Sequence, residues 1–329
     1  MHAENKQSKY KSPVAAIFTG IGDLFKKPKD QLILNESDRL DGKKVLITGA
    51  SSGLGFATAI DLAKRGAHVI MAVRSGIPGK GEEVKKKSAS QKVDMIPLDL
   101  SDLTSLPKLA AEVKERFGPV DIVISNAAMV AARSREIYGL DEMFVVNYFA
   151  KFIFINALLE QGAINTRGAT LPRIIFVASE SHRNPEQFEW DKFGKFESYG
   201  TGKSVAIYGY YKLLLVTLAK HFSRRLNPDD GINYAIHSLC PGPVNSNIAR
   251  ETPKIFQPLL KLVFSIFFRS PAKACKPVVY LAASPEIEAR TGNYLFLMQD
   301  KEVDEKADDP QNGKRLWEMT EELQQKLKL

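Results

Sequence analysis

Cysteine is scarce in this sequence, with two residues, Cys240 and Cys275, in 329. Both stand in apolar surroundings, which argues against a disulfide framework and suits a reducing compartment. The chain also lacks a run of about 20 apolar residues, the length that a membrane-spanning helix needs. Its longest apolar stretches, 13–22 and 259–268, fall well short of that length. The polar first residues argue against a signal peptide, so we expect a cytoplasmic protein.

Charge of one sign does not dominate any part of the chain. The 46 basic and 38 acidic residues are mixed along it, and the net charge is +8. No basic stripe with interleaved aromatics stands out, so we predict no nucleic-acid partner. The composition, 44% hydrophobic and 26% charged, is ordinary for a globular protein. With no break in composition, residues 41–329 are predicted to form one domain, and residues 1–40 an N-terminal extension.

The extension combines lysines with a modest apolar patch, residues 14–18 with Ile21, Leu24 and Phe25. A helix that packs on the domain, or a frayed arm, explains this pattern. The alternative is a basic amphipathic segment that lies on a membrane surface, which would make the protein peripheral.

Three glycines separate a predicted strand from a predicted helix near residue 50. The strand is the β-branched and apolar run 43–48, and apolar residues recur at helical spacing over 56–63. Glycines in such a turn permit a sharp bend, the approach of a diphosphate to the backbone, and close packing of helix on strand. The helix N-terminus then favours an anion. A glycine-rich turn alone is explained equally well by ordinary loop chemistry.

Strands and helices alternate along the rest of the chain, which predicts an α/β fold. We expect a single Rossmann-type, doubly wound parallel sheet with helices on both faces and right-handed crossovers. Its ligand should bind beyond the carboxyl ends of the strands. The candidate strands are residues 43–48, 68–73, 93–98, 120–125, 173–179, 233–239 and 293–297.

The glycine-rich turn resembles the Thr-Gly-x-x-x-Gly-x-Gly fingerprint of short-chain dehydrogenases/reductases, and residues 314–323 are similar to the tail of the retinol dehydrogenase branch. Dispersed motifs extend the resemblance over about residues 41–323. It implies an NAD(P)-dependent oxidoreductase and no metal ligands. The cofactor contacts that it implies are Thr48, Gly49, Ser51, Ser52, Gly53, Leu54, Gly55, Asp99, Leu100, Asn126, Ala127, Lys212, Pro241, Gly242, Val244 and Ser246.

The end of the second strand predicts NADP(H) rather than NAD(H). An acidic residue there binds the ribose 2′-hydroxyl, whereas an arginine accommodates a 2′-phosphate. This chain has Val73 followed by Arg74, with Lys80 nearby and no acid at the tip. The alternative is a solvated surface arginine. After the third strand, we expect Asp99 to bind the adenine and Asp102 to cap the next helix.

The resemblance also implies a catalytic serine at the end of the fifth predicted strand, which is Ser179. It further implies a tyrosine with a lysine one helical turn later. Residues 199–203 and 208–212 both offer such a pair, but the first contains two glycines and is predicted to be loop. We therefore assign Tyr208 and Lys212, and expect the ammonium to lower the pKa of the phenol. The resemblance implies that Asn147, in a mainly helical stretch 139–159, completes the set by holding a water molecule in a proton relay; a helix kink satisfied by hydrogen bonding is compatible with that role.

A lipophilic carbonyl or alcohol, such as a retinoid, sterol or long-chain aldehyde, is the predicted substrate. The resemblance implies a substrate lid at about 247–270, and the apolar sequence there suggests this substrate, although such a helix is normally buried. An insertion, 184–204, also suggests it, since its aromatics form a pocket wall or merely the core of the loop. Alternatives are a non-catalytic NADP(H)-binding scaffold or sensor, and a peripheral lipid-binding protein. The family resemblance implies a homodimer or homotetramer. The C-terminal tail is explained as a docking helix.

Overall fold

The computed structural model describes residues 31–228, 231–242 and 270–329. Its central feature is an eight-stranded sheet with the strand order β10-β9-β8-β7-β4-β1-β2-β3, and a separate hairpin joins β5 to β6. The strands are β1 (Lys44–Thr48), β2 (His68–Val73), β3 (Val93–Pro97), β4 (Ile122–Ser125), β5 (Glu136–Ile137), β6 (Leu140–Asp141), β7 (Arg173–Val177), β8 (Ala235–Cys240), β9 (Tyr294–Phe296) and β10 (Gln299–Asp300).

The sheet is parallel from β3 to β9, as the alternating pattern predicts. The chain winds outward from β1 through β2 to β3, then returns to place β4 on the other side of β1. This reversal opens a crevice at the carboxyl ends of β1 and β4, where α/β proteins bind their ligands. The edge strand β10 is antiparallel to β9 and was not predicted, because its two residues carry no periodic pattern.

Helices cover both faces of the sheet and divide the core in two. Successive strand residues alternate between the cores: Leu46 and Ile70 belong to one, Val45 and Ile47 to the other. The helices are α1 (Gly53–Lys64), α2 (Gly79–Ser88), α3 (Leu106–Phe117), α4 (Glu142–Glu160), α5 (Thr201–Arg225), α6 (Lys276–Ala283) and α7 (Pro310–Lys326), and the shorter turns are Leu103–Ser105, Glu180–Arg183, Trp190–Lys192, Pro271–Ala274, Pro285–Ile287 and Glu305–Asp308.

The predicted strands all occur, with small differences at their ends. The fourth is shorter than predicted, since β4 begins at Ile122 and Val120 makes only an isolated bridge to Ile164. The fifth ends at Val177, two residues before Ser179, so this serine stands in the loop beyond the strand. Such loop positions at strand ends are where α/β folds place functional side chains.

Helix α4 is long and apolar enough to cross a membrane, although no segment of that kind was predicted. Of its most apolar 18-residue window, 78% is buried inside the fold. The helix is interrupted by a π-helical segment, Val145–Phe149, centred on Asn147. This distortion is compatible with the functional role predicted for Asn147, since π segments inside α-helices are frequent at functional sites.

Three aromatic residues of the insertion make ring contacts inside the fold. Phe188 stacks on Trp190 with ring centroids 4.4 Å apart, and Phe193 packs edge-on against Phe144 in the main core. Packing therefore explains these three residues, and a pocket wall stays a prediction. The insertion is also partly helical, since α5 begins at Thr201 and so includes the end of the segment predicted to be loop.

The C-terminal tail is a docking helix, as predicted. Trp317 of α7 packs against Phe152 and Phe222, with ring centroids 4.8 and 5.0 Å away. The hydroxyl of Tyr148 in α4 is 2.6 Å from that of Thr320. Helix α7 thus closes the face of the sheet that carries α4 and α5. The proposed lid at about 247–270 and most of the N-terminal extension lie outside the described residues.

Candidate active site

The glycine-rich turn after β1 has no room for side chains at two of its positions. Gly49 has φ +69°, a left-handed conformation that favours glycine, and a Cβ there would lie 2.8 Å from the Cα of Ala127. A Cβ at Gly55 would lie 2.5 Å from the side-chain nitrogen of Asn126 and equally close to the carbonyl oxygen of Gly49. The turn therefore packs directly on the loop that follows β4.

Hydrogen bonds join these two loops across the crevice. The hydroxyl of Thr48 accepts from the backbone N–H groups of Asn126 and Ala127 at 3.0 and 3.1 Å. The amide of Asn126 donates to the carbonyl oxygens of Thr48 and Gly49 at 2.9 and 3.1 Å. The side chain of Asn126 therefore braces the edge of the sheet at the end of β1.

The first turn of α1 faces the same crevice and suits a phosphate group. Ser52 at its N-cap makes no side-chain capping bond, and no acidic residue lies in this turn. Helix N-termini carry free N–H donors and the positive end of the helix dipole. With the glycine cradle, these donors fit a dinucleotide diphosphate. Leu54 and Ser51 border this turn and are half-buried.

The residues expected at the adenosine end divide into free and engaged side chains. Arg74 follows β2 and is exposed. Lys80, also considered there, pairs with Glu83 at 2.6 Å. One carboxylate oxygen of Asp99 accepts from the N–H and hydroxyl of Ser101 at 2.9 and 2.7 Å. Leu100 is buried beside it. Asp102 caps the turn Leu103–Ser105, as predicted.

Ser179 has a defined set of partners in the turn after β7. Its hydroxyl oxygen accepts from the hydroxyl of Ser181 at 2.9 Å and from the N–H of the same residue at 3.2 Å. His182 is buried and lies 2.7 Å, through Nδ1, from the carbonyl oxygen of Ser179, while its Nε2 accepts from the N–H of Asp304 at 3.3 Å. Burial lowers the pKa of His182 to about 4, so it is a neutral brace and not a base.

Tyr208 and Lys212 lie on α5 and face the ends of β7 and β8. The Nζ of Lys212 donates to the carbonyl oxygen of Val177 at 3.0 Å and stands 5.4 Å from the ring centroid of Tyr208. A Cβ at Gly209 would lie 2.9 Å from the carbonyl oxygen of Ser181, so α5 packs closely on the turn that holds Ser179. The structure thus brings the predicted helix pair against the predicted serine turn.

Burial is the main cause of the shifted pKa values of Tyr208 and Lys212. It raises the pKa of the Tyr208 phenol well above its usual value, with the Cys240 thiol as a smaller cause in the same direction. The same burial lowers the pKa of Lys212 to about 8. We expected the ammonium to lower the pKa of the phenol, and the net direction is the opposite because desolvation penalises the phenolate. The phenol is therefore protonated near neutral pH.

The alternative pair, Tyr199 and Lys203, does not form a comparable site. The hydroxyl of Tyr199 donates to the carboxylate of Asp141 at 3.0 Å, and that of Tyr211 donates to the same carboxylate at 2.9 Å. Lys203 is exposed in the first turn of α5. Tyr199 and Lys203 are thus not held together as a buried pair. The hydroxyl of Tyr210 accepts a hydrogen bond from the N–H of Glu189. Tyr210 and Tyr211, which follow Tyr208 on α5, are therefore both engaged by other residues.

Asn147 ties the π segment of α4 to the loop beyond β4. Its amide nitrogen donates to the carbonyl oxygen of Met129 at 2.8 Å, and its amide oxygen accepts from the N–H of the same residue at 3.1 Å. The side chain is fully buried. Its direct role is therefore to hold this loop, and a part in proton relay stays a prediction.

The predicted contacts beyond β8 are only partly within the described residues. Pro241 is buried, and Gly242 has φ +78° with Leu297 closely packed against it. Val244 and Ser246 lie in the segment outside the described residues, so their roles stay predictions.

Three neighbours of the site were missed or misread in the sequence. Ser181 and His182 were not assigned to the site from the sequence, whereas they hold Ser179. Lys151, the one charged residue in the apolar run 150–159, is fully buried. A charge inside such a run was the signal that could have identified it.

The buried ammonium of Lys212 should cost folding stability. Because its pKa is lowered to about 8 in the folded protein, the unfolded chain holds more protons between that pH and about 10.4. The destabilisation is thus fully present below pH 8 and disappears as pH rises through that window. We expect Lys212→Met to raise the free energy of unfolding of the cofactor-free protein by about 1–2 kcal/mol at pH 7. Urea denaturation at pH 7 and pH 10 measures this, and an equal gain at both would contradict it.

The chain is similar in sequence to a known protein family and to named members of it. Residues 43–254 match the family model of short chain dehydrogenases. The chain is 30% identical to human retinol dehydrogenase 14 over 310 residues, which is 86% of each chain. It is 27% identical to human polyprenol dehydrogenase over 254 residues, 76% of each chain.

Solved structures share the fold. The RhlG protein of Pseudomonas aeruginosa in complex with NADP is 22% identical with a TM-score of 0.61, covering 80% of this chain and 98% of its own. The 3-ketoacyl-(acyl-carrier-protein) reductase of Brucella melitensis in complex with NADH is 21% identical with a TM-score of 0.59, covering 79% and 98%.

Proposed function

This chain belongs to the short-chain dehydrogenase/reductase family of NAD(P)-dependent oxidoreductases, and from that membership we propose that it interconverts a lipophilic carbonyl compound and its alcohol with NADP(H). Tyr208 is the general acid and base, with Ser179, Lys212 and Asn147 completing the site. The observation that supports this most is the packing of Tyr208 and Lys212 of α5 against the Ser179 turn, beside the glycine cradle after β1.

Tyr208 performs the proton transfer in this proposal. In the reducing direction its phenol donates a proton to the substrate oxygen as negative charge develops there, and in the oxidising direction the phenolate takes it back. Burial keeps the phenol protonated, which prepares it to donate. Lys212 carries positive charge beside the ring and stabilises the phenolate that remains after donation.

Ser179 stabilises the same oxygen. Its hydroxyl oxygen already accepts two hydrogen bonds from Ser181, which leaves the Ser179 proton free to be donated to the substrate. A donor aimed at the developing charge lowers the barrier because it needs no reorganisation during the reaction. Asn147 contributes by fixing the loop at Met129, which borders the site.

The dinucleotide would be held by the turn after β1, by the loop after β4 and by Lys212. Gly49, Gly53 and Gly55 would allow the close approach, and the amide donors of α1 would bind the diphosphate. The nicotinamide, when bound, supplies or accepts hydride at the substrate carbon.

The preference for NADP(H) is attributed to Arg74, which is exposed after β2 where no acidic residue follows. Arg74→Ala should raise the KM for NADPH by about tenfold or more, because a charge-assisted bond to the 2′-phosphate is lost. The KM for NADH should stay nearly unchanged, since NADH lacks that phosphate. Steady-state kinetics with both cofactors measures the ratio. Lys92→Ala, on the loop before β3, is the matched surface control. Equal losses for the two cofactors would argue against a 2′-phosphate contact.

The lipophilic substrate is supported by the retinol and polyprenol dehydrogenases among the relatives, whose named substrates are apolar alcohols. An exposed apolar residue, Val205, lies on α5 one turn before Tyr208. The aromatic insertion adds no support, since its ring contacts are within the insertion and with Phe144 of the main core. Peripheral membrane contact, a cytoplasmic location and homo-oligomerisation stay predictions.

The test is NADPH oxidation with a panel of carbonyls that differ in apolar surface: retinal, a long-chain aldehyde and a sterol ketone against acetone and glyceraldehyde. We expect kcat/KM to be at least about a hundredfold higher for the lipophilic compounds, because each buried methylene contributes about 0.8 kcal/mol. Equal activity on small polar carbonyls would reject the lipophilic substrate. Cofactor binding without turnover of any carbonyl would favour the scaffold or sensor.

A further inference from the structure

The bridging segment, which we define as residues 301–308 after β10, bonds to two separate parts of the proposed site. At one end it holds the turn Glu180–Arg183, directly after Ser179. The bonds run from Lys301 Nζ to the Glu180 carboxylate at 2.6 Å, from the Arg183 guanidinium to the carbonyl oxygen of Glu302, and from the N–H of Asp304 to His182 Nε2 at 3.3 Å. At its other end, Asp308 pairs with Lys220 of α5 at 3.0 Å. The proposed mechanism assigns no role to this segment.

His182 is the residue of the turn that contacts both Ser179 and the bridging segment. Its Nδ1 lies 2.7 Å from the carbonyl oxygen of Ser179, and its Nε2 lies 3.3 Å from the backbone nitrogen of Asp304. A carbonyl oxygen only accepts hydrogen bonds, and a backbone N–H only donates them. Nδ1 must therefore carry the ring proton, and Nε2 must present a lone pair. The ring is neutral and held in one tautomer.

Burial prevents the ring from exchanging these partners for water. His182 has no exposed surface, and its ring centroid stands 5.1 Å from that of Tyr294 on β9. The hydroxyl of Tyr294 in turn donates to the Glu180 carboxylate at 2.7 Å, which fixes the beginning of the same turn. A flip of the His182 ring would deprive the Asp304 N–H of this acceptor, and a buried donor without a partner is costly.

We propose that His182 is a positioning residue for Ser179: as the Nδ1–H tautomer it links the carbonyl of Ser179 to the backbone of the bridging segment, and so fixes the serine turn relative to α5. This inference deepens the proposed function and rests on Ser179 donating a hydrogen bond to the substrate oxygen. His182 itself contacts neither substrate nor cofactor in this role.

Ser179 and Tyr208 need such a link because they act on one oxygen from different elements. Bonds from Ser181 orient the Ser179 hydroxyl within its own turn, but they do not fix the distance from the turn to α5. The close packing of Gly209 on this turn sets only the smallest separation. The bridging segment bonds to both elements and so keeps the turn from moving away. A displacement of about 1 Å at a reacting group can lower a rate about a hundredfold.

The first test is the tautomer itself, measured from the ¹⁵N chemical shifts of the histidine rings in the full-length, cofactor-free protein at pH 7. The chain has five histidines, so the His182 signals are assigned by their loss in His182→Phe. We expect a protonated Nδ1 and an unprotonated Nε2. The Nε2–H tautomer, or an imidazolium, would overturn the proposal without any measurement of activity.

Three substitutions separate the two bonds of the ring. His182→Asn places an amide nitrogen near the Nδ1 position and keeps the bond to Ser179, whereas His182→Gln places an amide oxygen near the Nε2 position and keeps the bond to Asp304. His182→Phe keeps a ring against Tyr294 and loses both bonds. We expect kcat to fall about fivefold in each amide variant and about thirtyfold in His182→Phe, with the KM for NADPH changed less than about twofold in all three. An unchanged kcat in His182→Phe, or a rise in the KM for NADPH that matches the fall in kcat, would refute the positioning role.

Asp304 allows the same bond to be removed from the other side. Its φ of −62° suits proline, so Asp304→Pro removes the N–H, whereas Asp304→Ala keeps the N–H and removes only the capping carboxylate. We expect kcat to be about fivefold lower in Asp304→Pro than in Asp304→Ala. Combined with His182→Asn, the two Asp304 variants should have equal kcat, because one bond cannot be lost twice. A persistent difference between them would refute the link between His182 and the bridging segment.

His68→Phe is the matched control, since it also replaces a hydrogen-bonded histidine by a ring. His68 begins β2, at the end of the sheet away from the site, and bonds to Asp94 at 2.6 Å. This variant should leave kcat unchanged. Near-UV circular dichroism checks that each variant folds, and if His182→Phe does not, the amide variants and the Asp304 pair decide the question.

Failure of the proposed function gives a different result from failure of this inference. In the first case the wild type reduces no carbonyl, whichever tautomer His182 adopts. In the second case the wild type is active, but the tautomer is the opposite one or the variants turn over at the wild-type rate.

Discussion

Tyr208→Phe should lower kcat by about a thousandfold while leaving the affinity for NADPH within a factor of about two. The substitution removes one oxygen and keeps the ring, so the packing of Lys212 against that ring is preserved. What disappears is the proton donor, and a general acid contributes about 10²–10⁴ to a rate. Steady-state turnover and fluorescence titration of NADPH measure the two quantities.

Tyr199→Phe is the matched control for this prediction. It removes the phenol of the competing tyrosine, which donates to Asp141 at 3.0 Å. Loss of that bond should cost about 1 kcal/mol of stability, and kcat should change less than threefold. If Tyr199→Phe were inactive while Tyr208→Phe kept its activity, the assignment of the catalytic pair would be wrong.

Gly55→Ala should destroy the dinucleotide site and destabilise the protein. The added Cβ would stand 2.5 Å from the carbonyl oxygen of Gly49 and from the amide nitrogen of Asn126, separations that real Cβ atoms do not adopt. Since backbone and a fully bonded amide cannot yield easily, the N-terminus of α1 must move away from β1. We expect a loss of about 3 kcal/mol in the free energy of unfolding and at least about a hundredfold weaker NADPH binding.

Gly79→Ala supplies the contrast, because a Cβ at that position meets nothing within 4 Å and Gly79 begins α2. Alanine has the higher helix propensity, so stability should stay the same or rise by a few tenths of a kcal/mol. NADPH affinity should be unchanged. Thermal denaturation and isothermal titration calorimetry of both variants give the comparison. Normal binding by Gly55→Ala would show that the turn does not cradle the diphosphate.

The sequence identified the elements that depend on local chemistry. Seven of the strands were predicted because each is a short apolar run, and Asp102 was predicted as a cap from its position before a helix. The edge strand β10 could not be predicted, since two residues have no periodicity and the strand exists only because β9 offers free hydrogen-bonding groups. Helix α5 begins earlier than expected, because Gly200 serves as its N-cap and Gly202 is tolerated in its exposed first turn.

For the candidate site, the sequence by itself determined which residues have the needed atoms at the needed spacing: the glycines at 49, 53 and 55, and a tyrosine and lysine four apart. Tertiary structure alone decided their partners. Asp141 engages Tyr199 and Tyr211, Ser181 orients Ser179, and Lys151 is buried with no hydrogen-bond partner for its Nζ within the described part of the chain. The physical reason is range: spacing along one helix or turn fixes local geometry, whereas burial and hydrogen-bond partners depend on which distant segments the packed sheet brings together.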